Sequence, residues 1–139
     1  MSLPHDPIAT AFEYLEDRLG PDLGGLVEGT HEHPAPQAAA WPLVTWQVLD
    51  ATDALGTGTI RHLTVVEVLV RAAGRAVTTA ELVPAAAAID AAIVTGDCAT
   101  LTTGTVYGCV RLRPHRLTAL EEGERVTHLG GVYRITVGP

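Results

Sequence analysis

The run from Thr59 to Arg71, TIRHLTVVEVLVR, constrains this chain more than any other stretch. Ile60, Leu63, Val65, Val66, Val68, Leu69 and Val70 fill most of its positions. Such an unbroken β-branched and apolar run predicts a strand buried on both faces. That strand belongs at the centre of a sheet. Thr78-Thr79-Ala80-Glu81 then fits the S/T-x-x-E capping box, in which the threonine hydroxyl and the glutamate carboxylate each take an orphan amide of a starting helix. Leu82, Ile89 and Ile93, with Ala85, Ala86 and Ala92 beside them, form an apolar stripe at helical spacing, and the alanines let that helix lie close on the sheet. Pro84 leaves two readings: a kink, or a helix that starts later with Pro84 at its first position.

The rest of the chain reads as helix and strands around this unit. Asp6-Pro7 is a helix start, with an N-cap carboxylate followed by proline. Ile8, Phe12, Leu15 and Leu19 mark its apolar face, Glu13, Glu16 and Asp17 its solvated one, and Gly20-Pro21 its end. A short strand is expected between Leu26 and His33. The segment PAPQAAAWP lacks both ladder donors and a core-facing pattern, so residues 31 to 42 read as a loop or extended arm. Leu43 to Leu49 alternates as a strand, and the turn-rich link Asp50 to Gly58 makes it pair antiparallel with the long strand. Downstream, a two-residue turn at Thr103-Gly104 would set Leu101 opposite Val106, Thr100 opposite Tyr107 and Cys98 opposite Cys109. Pro114-His115 is expected to interrupt that hairpin. Leu117–Leu120 and Val126–Val137 then form a last pair, with Gly130-Gly131 as a bulge, the preferred reading, or a second tight turn. Helix, strands, helix, strands, joined by connections too short for parallel crossovers, predicts an α+β fold in one domain spanning residues 1–139: a mainly antiparallel sheet with two helices packed on it.

Composition excludes several classes of function. At 139 residues and 47% hydrophobic content the chain can bury a core without metal or disulfide staples. No apolar run reaches the length of a membrane span and MSLPHDP lacks the regions of a signal peptide, so a soluble product of the cytoplasm is expected. Residues 1 to 60 hold nine carboxylates against Arg18 alone. A protein built to grip phosphates would instead show a clustered basic face. With no lysine at all and only isolated glycine pairs, a P-loop is out. Ser2 is the only serine, which closes the route to serine hydrolysis. Cys98 and Cys109 are read as ordinary buried thiols, and pairing Cys109 with His115 or His128 as thiol and base is the weaker alternative.

Only His31-Glu32-His33 has the look of a metal site, because on a strand the two imidazoles share a side. It is short of a third protein ligand, so polar residues on an exposed strand are the simpler reading. No cofactor is expected, and His62 and His128 read as sheet residues satisfied locally. Arg111, Arg113 and Arg116 form a small basic strip that suits a subunit contact or solvated edge better than a nucleic-acid site. Trp41 and Leu55, apolar residues in arms, make more sense as contacts with a neighbour than as lone surface residues.

Four segments together carry a family likeness: the leading helix IATAFEYLEDRL, the aromatic and proline-containing entrance to a strand WPLVTWQVLD, the helix TTAELVPAAAAIDAAI and the ending ERVTHLGGVYRITV. In order, length and texture the chain resembles the tail terminator proteins of long-tailed bacteriophages over nearly its whole extent. The resemblance implies a non-enzymatic structural protein: a small α+β subunit of a homohexameric ring that caps the tail tube and joins it to the head or neck, in the virion and assembled in host cytoplasm. Its partners would be copies of itself, the tail tube protein and a head-completion or neck protein. No catalytic residues come with the family, and no counterpart of the 31–42 arm can be placed. Six copies would carry six times the formal charge of −7, and an acidic wall lets DNA pass without holding it. Asp50 and Asp53 are the candidate channel-facing residues, and Trp41, Leu55, Arg111 and Arg113 the candidate interface. The competing readings are another neck or head-completion protein, a small metal-binding module on His31, Glu32 and His33, or a ligand-binding α+β domain.

Overall fold

In the computed structural model, which describes residues 6–20, 23–35, 40–54, 63–121 and 126–139, the Asp6 carboxylate caps helix α1 (Pro7–Leu19) by accepting from the amides of Ile8 and Ala9 at 3.1 and 3.2 Å. Proline at the first position costs nothing there, because its missing amide would have been an orphan. The buried face of α1 is Thr10, Ala11, Tyr14, Leu15 and Leu19. This is rotated from the expected stripe: Ile8 is exposed and Phe12 sits at the margin of the core. Glu13 is not a solvated charge. Its carboxylate accepts from the amides of Thr102 and Thr103 at 2.7 and 3.1 Å and from the Thr103 hydroxyl at 2.9 Å, clamping a distant loop to the helix.

Strands β1 (Thr30–Glu32), β2 (Leu43–Ala54) and β3 (Leu63–Arg75) precede helix α2 (Thr79–Ile93), and β4 (Ala99–Thr100), β5 (Thr105–Glu121) and β6 (Val126–Gly138) follow it. They form a six-stranded sheet in the order β1-β2-β3-β6-β5-β4. All pairings are antiparallel except β1 with β2, which is parallel. The sheet is mainly antiparallel as expected, and the exception corrects only the expectation that every connection is too short for a parallel crossover. β1 is only three residues long, so the return path is about 10 Å, which residues 33–42 span easily. The fold is α+β, as the element order predicts.

β3 is central, flanked by β2 and β6, but it is not buried on both faces. Thr64, Val66, Val68, Val70 and Ala72 are buried, while Val65, Glu67, Leu69 and Arg71 between them are half-exposed. Both helices pack on the first set. Leu82, Ala85, Ala86, Ile89 and Ile93 of α2 join Tyr14, Leu15 and Leu19 of α1 over Val44, Trp46, Val66, Val68, Val70, Tyr133, Ile135 and Val137. The small alanines bring the α2 backbone near the strands. Tyr14 ties the two helices together by donating its hydroxyl to the carbonyl of Ile93 at 2.5 Å, filling an acceptor that a helix C-terminus leaves open.

The capping box forms as the sequence predicts: the Thr78 hydroxyl accepts from the Glu81 amide at 3.4 Å, and Glu81 accepts from the Thr78 amide at 3.1 Å. The helix therefore begins at Thr79 and runs through Pro84, so the later start is not adopted. Both Pro84 and Ala80, whose carbonyl loses its partner, are exposed; water can satisfy that acceptor.

The second half departs from expectation in register. Thr100 pairs with Thr105 and Ala99 with Val106, so the turn is a four-residue loop held by Glu13 instead of a two-residue Thr103-Gly104 turn. Cys109 consequently bridges Thr95 and not Cys98. Cys98 is exposed and Cys109 buried, both as free thiols. Pro114-His115 does not end β5 either; the register against β6 shifts there, and the added residue lies on β5, opposite Gly130 and Gly131. The glycine pair itself keeps continuous register with β3. Proline is tolerated because β5 pairs there on its β6 side only, among the described residues. Thr78→Ala should lower stability to urea by about 1 kcal/mol through loss of the cap, with an unchanged denaturant slope.

Candidate functional site

α2 carries Asp90 in its last turn, where a carboxylate is unfavourable against the negative end of the helix dipole unless it is paired. It is paired twice. Arg111 of β5 places Nη1 at 2.5 Å from one carboxylate oxygen, and Tyr133 of β6 donates its hydroxyl to the other. Tyr133 is fully buried and also meets Nε2 of His115 at 2.5 Å. The phenol has one proton and gives it to Asp90, so His115 is the donor in that contact, in its Nε2–H tautomer. Gly131 is what admits the imidazole: a Cβ there would lie 2.8 Å from its Cδ2 and 2.9 Å from its Nε2. The bulge on β5 and the glycine on β6 thus work together, one turning His115 inward and the other leaving it room.

The electrostatics of this cluster fit a clasp better than a reaction centre. Burial, reinforced by the Asp90 carboxylate, pushes the Tyr133 phenol far above its ordinary value. Burial lowers His115, partly opposed by the Leu129 carbonyl and Asp90. Burial and Asp90 push the Cys109 thiol up to about 12, so no thiolate is available for a Cys109–His115 couple. The phenol stays protonated and the imidazole neutral, while one ion pair balances the charge. In that tautomer Nδ1 of His115 faces the Leu129 carbonyl at 3.4 Å as one acceptor against another, and the remaining contacts fasten α2 to the sheet.

Among the described residues, the other face of the sheet carries no helix. Leu49, Leu69, Val132, Gly130, Arg113, Pro114 and Arg116 enclose a hollow of about 350 Å³. Leu49 lies on β2 and Pro114 on β5, with two strands between them, so this face is concave. Leu49, which lines the hollow, is 49% exposed, and Val110 and Leu112 of β5 are 51% and 38% exposed. Arg113 and Arg116 are exposed on its rim, and among the described residues neither has an ion-pair partner. A second, shallower hollow lies between Thr52, Val65, Glu67 and Arg134, where Arg134 Nη2 approaches Glu67 at 3.4 Å.

The residues singled out from sequence scatter across this framework. Arg113 lines the concave hollow, whereas Arg111, beside it in sequence, points to the helix side and is held by Asp90. Trp41 is half-buried against Leu43, Ala73, Val126 and Ala35, with the Arg75 guanidinium 5.3 Å from its ring centre. Asp50 is exposed at a bulge in β2, where it accepts from the Ala51 amide and the Thr52 hydroxyl at 2.9 and 3.2 Å. Asp53 pairs through its backbone with Thr64; its side chain, and Leu55 and His62 altogether, lie outside the described residues. His31 and Glu32 sit on the edge strand β1 with His33 just beyond it, and no group of three potential metal ligands converges among the described residues. His128 is buried in β6. Sequence reasoning missed the Asp90–Tyr133–His115 cluster entirely. Its one legible signal was a carboxylate inside the apolar stripe of α2.

No protein-family model matches the sequence, and no curated protein matches it. Among solved structures, a chain of the virion of a native gene transfer agent particle shares the fold, with a TM-score of 0.70 and 24% identity, over 90% of this chain and 92% of that one. No helix among the described residues is long and apolar enough to cross a membrane.

Two outcomes test the clasp. Tyr133→Phe should cost about 1–3 kcal/mol in chemical denaturation, because it removes one hydroxyl and leaves the buried His115 ring nitrogen and one oxygen of the partly exposed Asp90 without that partner. The imidazole of His115 is held below its ordinary 6.5, so the unfolded chain takes up that proton first as pH falls. Stability should therefore drop as pH is lowered below about 6.5, and a His115→Gln variant followed from pH 7 to pH 5 should show a flatter profile.

Proposed function

We propose that this chain is a structural subunit of a phage-like virion, and within that class a tail terminator that closes into a ring, caps the tail tube and joins it to the head or neck. The observation that carries the proposal is the shared fold with a chain of the gene transfer agent virion, which spans nearly the whole of both chains. Three further features support it. The four sequence segments described above resemble the tail terminator family in the same order. Among the described residues the sheet is covered by helices on one face only, as expected of a subunit that finishes its core against neighbours. The internally paired Asp90 cluster and the protonated Cys109 give the protein little with which to make or break a bond.

On this reading the protein acts by binding alone. Six copies surround a channel, and the acidic exposed Asp50 on β2 belongs near the lumen, where it repels phosphates and lets DNA pass. Partners are the tail tube protein on one side and a head-completion or neck protein on the other. Native mass spectrometry and negative-stain microscopy should show a closed ring, with six copies as the expected number, and the ring should bind the end of purified tail tubes. A monodisperse monomer that leaves the tubes uncapped and still growing would overturn the proposal.

A further inference from the structure

Two groups of exposed charge among the described residues lie toward opposite ends of the strand order. β1 is the strand at one end, and the segment leading into it and along it presents Glu28 and Glu32, both exposed. Among the described residues neither carboxylate has an ion-pair partner. Leu26, two residues before Glu28, is 42% exposed, an apolar side chain displayed beside acid. Glu16 and Asp17 of α1, which packs against β1, add further exposed carboxylate on this side. Toward the other end of the sheet, β5 offers Arg113 and Arg116 on the rim of the hollow floored by Leu69 and Val132, which reaches across to Leu49 of β2. One end displays apolar surface flanked by unpaired acid; the other displays an apolar depression flanked by unpaired base.

We propose that these two surfaces are the two halves of one heterologous contact: the Leu26–Glu32 edge of one copy seats against the Arg113–Arg116 rim and hollow of the next. The inference rests on the ring reading above and deepens it by naming the surfaces. A twofold contact centred on either surface would bring Arg113 and Arg116, or Glu28 and Glu32, against themselves, and like charges at an interface cost several kcal/mol. A head-to-tail contact pairs them with opposite charge and leaves each copy with one surface still free, which is the condition for a ring to propagate and close. Arg111 takes no part, because Asp90 already holds it. A nucleic-acid partner fits less well, because two arginines around an apolar floor give few phosphate contacts.

The test uses charge reversal in the full chain. Arg113→Glu with Arg116→Glu gives one variant, and Glu28→Arg with Glu32→Arg gives another. All four residues are exposed, and thermal unfolding of each variant against the wild type serves as the folding control. Each variant alone should fail to form rings, its dissociation constant raised by about a hundredfold or more. An equal mixture of the two should restore rings in which the variants alternate, since every contact in such a ring is again acid against base. The single chain bearing all four reversals should also assemble. Wild-type rings joined by variants that assemble as well as the wild type would overturn this inference while the ring reading stands. Variants that fail alone and stay unassembled when mixed would also overturn it, as would reversal at Arg113 and Arg116 that abolishes DNA retention and leaves the ring intact. A wild-type protein that is monomeric throughout would overturn the ring reading itself.

Discussion

Two helices pressed on one face of the sheet, with no described element on the other, set every later feature of this protein. The covered face holds the alternating residues of β3, from Val66 to Ala72, under the apolar stripes of α1 and α2. Burial on that face supplies the main driving force for folding, at about 25 cal/mol per Å² of apolar surface removed from water. The same alternation turns Val65, Leu69 and Val132 the other way, half-exposed. A chain made like this retains partly exposed apolar side chains on the face that no described helix covers.

Polar contacts then fix how the covered layer sits. Tyr14 binds the end of α2, Glu13 binds the loop before β5, and Asp90 binds Arg111 and Tyr133. These contacts join elements far apart in sequence, and their net individual contributions are about 1 kcal/mol, more where a charge takes part. Their larger effect is on specificity. A helix held only by alanine and isoleucine could slide along the strands, whereas one whose carboxylate must meet a phenol and a guanidinium has one register.

The asymmetry of charge follows the asymmetry of the sheet. Acid collects in the first sixty residues, which supply α1, β1 and β2, and the concave rim of β5 is basic. Because β1 and β5 lie toward opposite ends of the strand order, a feature visible as an uneven charge distribution in sequence becomes a polarity of the folded subunit. That polarity suits repeated head-to-tail contact and gives a physical route from fold to assembly.

By itself, the sequence determined the elements whose causes are local. The Asp6-Pro7 start, the Thr78–Glu81 capping box and the stripe Leu82–Ile89–Ile93 depend on neighbours within a few residues, and so does the β-character of the 63–71 run. The α+β class follows from their order. What only the tertiary structure decided are matters settled by partners distant in the chain. Glu13 reads as a free charge until the Thr102 and Thr103 amides, some ninety residues on, donate to its carboxylate. β1 runs parallel because a three-residue edge strand needs so short a return. Pro114 reads as a strand breaker until a free edge makes its missing donor harmless, and Gly131 reads as a bulge until His115 fills the space its absent side chain leaves. Periodicity and capping report on the residue's own turn or strand, whereas register, edge position and the pairing of buried polar groups depend on which distant segments meet.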